Sequence, residues 1–223
     1  MVSQLVVIGD SFCHGVGTAS PFRDSQNTHW SFGRYLADYY ELKYVNLAEP
    51  GISIFRTIEL GINYLENSAN QNSIVIAGWT HPRRIGIYSN HSMLQILPSY
   101  ALLGNTSDTD VWIQEESGVK FIADKTNSQY LDTLSQLHKI TVNNDFFDGA
   151  ANTGRVAVKM FKTWCSGMNI NLADFNVFPG YKSLTVPEHD INFSNVMPTL
   201  DRHPTRDEQK KFAELWILKY GKK

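Results

Sequence analysis

The chain has 223 residues, of which 42% are apolar and 19% charged. That is enough for one domain with a sizeable core, and it excludes a disordered chain. A formal net charge of -2 leaves no electrostatic footprint for nucleic acid or an anionic membrane surface.

In chain order, the first element is the apolar run "QLVVIG", a buried parallel-type strand ending at Gly9. The polar, glycine-rich stretch "GDSFCHGVG" follows it directly, from Gly9 to Gly17. In "SFGRYLADYYE", Phe32, Tyr35, Leu36 and Tyr39 recur at helical spacing, and "KYVNLA" then reads as a second strand ending at Ala48. Phe55, Ile58, Ile62 and Leu65 predict one stripe of a helix, before a third strand, "SIVIAG", ending at Gly78. Residues 88–150 mix short apolar pieces with polar runs such as "GNTSDTD", the pattern of an insertion or of long helical connections over a sheet edge. A helix is expected in "TGRVAVKMFKTWCSGM" and a strand in "INLADFNVF". A last helix lies in "TRDEQKKFAELWILKYG", with capping-box spacing at Thr205 and Glu208. Alternating strands and helices predict an α/β fold with a mostly parallel, doubly wound sheet, in a single domain over 1–223.

Two cysteines, Cys13 and Cys165, far apart in sequence, make no disulfide framework. No apolar run approaches the roughly 20 residues of a membrane helix. The first strand starts at Gln4, too early for a signal peptide. The expectation is a soluble protein, cytoplasmic or carried in a viral particle. Five Trp and ten Tyr fit a thick core better than an exposed carbohydrate-binding face. Nothing in the pattern fixes an oligomeric state.

Ligands of open parallel sheets bind outside the carboxyl ends of the strands. Here those ends carry "GDSFCHGVG", "AEPGIS" and "GWTHPRR", and "DRHP" precedes the last helix. Ser11 is a candidate nucleophile on the strand-to-loop turn, His203 a candidate base and Asp201 its orienting partner. The backbone N–H groups of Ser11 and Gly51 are candidate oxyanion donors. Asp10 is read as pinning the loop, His14 as structural and Cys13 as a small buried filler. Adjacent Glu188, His189 and Asp190 cannot all face one ion, so no metal is expected, and no cofactor. The chain has no Gly-x-Ser-x-Gly elbow, no P-loop lysine and only a fragment of a dinucleotide fingerprint.

These blocks resemble the SGNH (GDSL) hydrolases. Gly9, Asp10, Ser11, Gly15 and Gly17 match the first block, Gly51 the second, and "DRHP" the last. The third block, Gly-x-Asn-Asp in the family, reads Gly78-Trp79-Thr80-His81, a form similar to that of phage-encoded members. The Asp201-to-His203 spacing is one residue shorter than the commonest family form. The resemblance implies a flavodoxin-like three-layer α/β/α sandwich and ester hydrolysis through an acyl-enzyme. It implies Ser11, His203 and Asp201 as the triad, and Ser11, Gly51 and Thr80 as the oxyanion hole. Arg83 and Arg84 would bind an anionic or polar group of the substrate. Family members act on lipids, acetylated sugars, peptidoglycan and thioesters, and an acyl ester on a carbohydrate is the expected substrate. The alternative is a catalytically weak module of the same fold, binding glycan or forming part of a larger assembly such as a phage particle.

Overall fold

The computed structural model describes residues 2–18, 25–67, 72–80, 85–88, 93–97, 112–115, 118–121, 144–177, 190–198 and 202–221. Four strands, β1 (Gln4–Ile8), β2 (Lys43–Asn46), β3 (Ser73–Trp79) and β8 (Asn171–Asn176), form an all-parallel sheet in the order β2-β1-β3-β8. Four more, β4 (Ile85–Tyr88), β5 (Met93–Leu97), β6 (Trp112–Glu115) and β7 (Gly118–Phe121), form a separate antiparallel sheet in sequential order. Of the stretch 88–150, the described residues up to 121 are antiparallel strands and 144–150 are helical.

Among the described residues the α-helices are a single turn, α1 (Ser11–His14), then α2 (Phe32–Tyr39), α3 (Ile54–Leu65), α4 (Asn144–Gly167) and α5 (Arg206–Tyr220). Helix α4 begins at Asn144, well before the Thr153 at which the sequence pattern becomes clear. All five residues of β1 are buried, as a central strand covered on both faces requires. Leu5 and Val7 join Phe32, Leu36, Phe212 and Trp216 from α2 and α5 in one core. Val6 and Ile8 join Ile54, Leu65, Val158 and Phe161 from α3 and α4 in the other. The result is a three-layer α/β/α sandwich. Strand β1 is followed by a helix on one face and β3 by a helix on the other, so a topological switch point lies between these two neighbouring strands.

Both cores are rich in aromatic rings. Phe193 stacks on Phe212 with centroids 4.3 Å apart, and Phe32 meets Phe212 edge-on at 5.1 Å. On the other face Trp79 packs edge-on against Phe161. The buried line of α3 is Ile54, Thr57, Gly61 and Leu65, rotated from the stripe the sequence suggests. Small residues there let the helix come close to Ile8 and Phe161, while Ile58 and Ile62 pack beside that line.

A partly buried ion pair ties α4 to the sheet: Lys162 Nζ lies 2.9 Å from Asp174 Oδ1, and the indole N–H of Trp79 donates to Asp174 Oδ2 at 2.7 Å. Asp174 is fully buried, so these donors offset the cost of removing its carboxylate from water. Among the described residues no helix is long and apolar enough to cross a membrane.

Candidate active site

The chain leaves β1 at Gly9 and enters α1 through Asp10, which is the N-cap. Asp10 Oδ1 accepts from the backbone N–H of Phe12 at 3.0 Å, satisfying a donor that the first helical turn leaves open. Its other oxygen, Oδ2, accepts the Thr80 hydroxyl at 2.8 Å. Both residues are buried. Thr80 directly follows β3, so this bond spans the switch point and fixes the Ser11 turn to the neighbouring strand. Asp10 thus pins the loop as its sequence position suggests.

The bond also bears on the role expected for Thr80. A hydroxyl has one proton, and in this arrangement Asp10 receives it. The Thr80 side chain is therefore not poised to donate to an oxyanion. Its geometry is that of a residue holding Asp10.

Ser11 opens α1 and is 4% exposed. Its carbonyl accepts from the N–H groups of Gly15 and Val16, both at 3.1 Å, which closes the turn. Cys13 is fully buried on the next residues, and burial together with the charge of Asp10 pushes its thiol well above the ordinary range. It is no competing nucleophile. A Cβ at Gly78 would lie 2.3 Å from Cys13 Sγ, so the end of β3 approaches α1 more closely than any side chain at 78 would allow. His14 is partly buried, and desolvation lowers its pKa. Asn46, at the end of β2, donates to the Cys13 carbonyl at 3.3 Å and accepts from Ala48 N–H at 2.9 Å. The Glu49 N–H donates to Gly9 O at 3.1 Å, which brings the loop carrying Gly51 back to the Ser11 turn.

His203 reaches the same turn from the other end of the chain. Its ring lies 5.6 Å from that of Phe12, the residue after Ser11. Gly17 (φ +92°) lies against it, and a Cβ there would come within 3.1 Å of His203 Cβ. The His203 backbone is held by the lead into α5. Thr205 and Glu208 form the expected capping box. Arg202 grips both oxygens of Glu208, at 2.8 and 2.7 Å, and donates to His203 O at 3.0 Å. The Arg202 guanidinium and the Thr205 donors hold the Glu208 carboxyl down at about 2.

One residue that sequence reasoning missed joins these two halves. Gln209 is fully buried; its amide donates to Phe12 O at 2.8 Å, and its carbonyl accepts from Phe32 N–H at 2.8 Å. The available signal was a polar residue on the apolar face of the last helix, three residues before Phe212 and seven before Trp216.

Asp201, His81, Arg83 and Arg84 lie outside the described residues, as do Glu188 and His189. Asp190 is described, and its carboxylate accepts from Lys219 and Tyr220 at the end of α5. Among the described residues no group of three His, Cys, Asp or Glu side chains is arranged to hold a metal ion.

The bond between Thr80 and Asp10 is testable by stability. Thr80→Val leaves Asp10 Oδ2 buried without its donor and should cost about 1–3 kcal/mol in denaturant unfolding, whereas Thr80→Ser keeps most of it. Glu208 gives a pH dependence. Its carboxyl is held down in the folded state, so its contribution is fully present above its ordinary range and fades as pH falls toward about 2. Glu208→Gln should lower stability at neutral pH by about 1 kcal/mol and flatten the acid side of the stability profile.

No family model matches the chain, and no curated protein matches it. Solved structures that are similar include one from a study of a carbohydrate esterase whose active site displays divergent catalytic and non-catalytic binding functions. It is 14% identical with a TM-score of 0.38, over 99% of this chain and 69% of that one. Another is a protein described as lipolytic, of the G-D-S-L family, from Desulfitobacterium hafniense, at 12% identity and a TM-score of 0.35, over 95% and 96% of the chains. A third is described as an acylhydrolase, from Bacteroides fragilis, at 13% identity and a TM-score of 0.30, over 97% and 87%. These likenesses are slight, and the reading of the site rests on its own geometry.

Proposed function

We propose that the protein is a serine esterase of the SGNH type, cleaving an O-acyl group such as acetyl from a carbohydrate. The observation that carries the reading is the Ser11 turn. It is capped by Asp10, tied across the sheet's switch point to Thr80, and met there by His203. The chain is read as one soluble domain in which the antiparallel sheet is an insertion between β3 and α4.

In this mechanism His203 takes the proton of Ser11 as Oγ attacks the ester carbonyl carbon. The backbone N–H groups of Ser11 and Gly51 receive the oxyanion. His203 then gives its proton to the leaving sugar oxygen, and the carbon–oxygen bond breaks to leave an acyl-Ser11. Water attacks that ester with His203 again as base, releasing the acid and restoring the serine. Asp201 would keep the imidazole in its productive tautomer, and Arg83 and Arg84 would hold a polar or anionic part of the substrate.

A second reading, a weakly catalytic glycan-binding or structural module, is favoured by one observation. The Thr80 hydroxyl donates to Asp10, so in this reading it does not take the place of the family's asparagine as an oxyanion donor. Loss of one such donor costs on the order of a hundredfold to a thousandfold in rate.

Hydrolysis of small acetyl esters and acetylated sugars separates the two readings. The esterase reading expects turnover that disappears, by at least about a thousandfold, in both Ser11→Ala and His203→Ala. Absence of turnover in the parent, with glycan binding retained, would favour the module. Turnover surviving Ser11→Ala would remove the nucleophile.

A further inference from the structure

We propose that Gln209 is a positioning residue that sets the placement of His203 relative to Ser11; the inference rests on the assignment of those two residues made above. The carboxamide of Gln209 has both ends engaged, its N–H donating to the carbonyl of Phe12 and its oxygen accepting from the N–H of Phe32. Phe12 follows Ser11, so one end holds the nucleophile turn. Phe32 is the first residue of α2, whose N-cap Ser31 makes no side-chain cap bond, so the other end supplies that cap from a different helix.

Gln209 is itself part of a stiff unit. Arg202, His203, Thr205 and Glu208 are cross-linked by the bidentate ion pair, the Arg202 bond to His203 O and the capping box. A shift of the Gln209 amide therefore carries His203 with it. Packing alone does not require an amide at this position, which lies on the same buried face of α5 as Phe212 and Trp216. What the amide adds is direction. It needs a carbonyl on one side and an N–H on the other, and only one docking of α5 on α1 supplies both.

The test measures the rate at which a fluorophosphonate reacts with Ser11 in the parent, Gln209→Met and Gln209→Glu, between about pH 5 and pH 9, with thermal unfolding followed in parallel. Gln209→Met removes both bonds and is expected to stay folded while reacting roughly ten- to a hundredfold more slowly. Gln209→Glu can accept from Phe32 N–H, but only its protonated form can donate to Phe12 O. Burial raises the pKa of that carboxyl, so the rate of this variant relative to the parent should climb as the pH is lowered. A residue serving stability alone would not give that pH-dependent recovery.

Parent-like reaction of folded Gln209→Met would overturn the proposal and leave Ser11 as nucleophile untouched. A Gln209→Glu rate ratio constant with pH would also overturn it, as would loss of the fold in both variants, which makes Gln209 a determinant of folding. A parent that does not react at Ser11 overturns both readings.

Discussion

The Asp10 carboxylate is the constraint on which the site depends. It sits fully buried where β1 ends, and each of its oxygens is committed: one to the Phe12 N–H of its own turn, the other to the Thr80 hydroxyl of the neighbouring strand. Leaving either oxygen without its donor would strand a buried polar atom at a cost of a few kcal/mol. The turn that carries Ser11 therefore has one inexpensive conformation. Cys13, wedged against Gly78, prevents the same turn from moving along the sheet edge.

The opposite end of the chain is brought to this turn by a second set of constraints. Helix α5 contributes Phe212 and Trp216 to the aromatic core that already holds Phe12, Phe32 and Phe175. Apolar packing of this kind is strong but tolerant of sliding. The directional element is the Gln209 amide, and the Arg202–Glu208 pair converts its position into a position for His203. Two parts of the chain nearly 200 residues apart in sequence thus meet with polar groups setting the register.

Much of this was legible in the sequence because it depends on local pattern. The runs "QLVVIG" and "SIVIAG" announce buried strands, and Thr205 with Glu208 announces the start of α5; "KYVNLA" announces a strand, but at the sheet edge it is exposed to partly buried rather than buried. The positions of Ser11 and Thr80 at adjacent strand ends follow from the βαβ alternation. Gln209 and Asp174 were not legible, since each is a polar residue whose partners lie on other elements, and sequence spacing does not encode such pairings. The bond between Thr80 and Asp10 was not legible for the same reason: the two are 70 residues apart. The antiparallel sheet escaped because strands of four or five residues separated by polar runs carry little periodicity.

The account stands or falls on Ser11 being a nucleophile served by His203. A crystal structure of the protein after reaction with a fluorophosphonate would test this most directly. The expected result is phosphorus bonded to Ser11 Oγ, with the His203 imidazole within hydrogen-bond reach of that oxygen. The phosphoryl oxygen should lie on the N–H groups of Ser11 and Gly51, and the Thr80 hydroxyl should remain on Asp10. An adduct on any other side chain, or one on Ser11 with His203 turned away from it, would contradict the account.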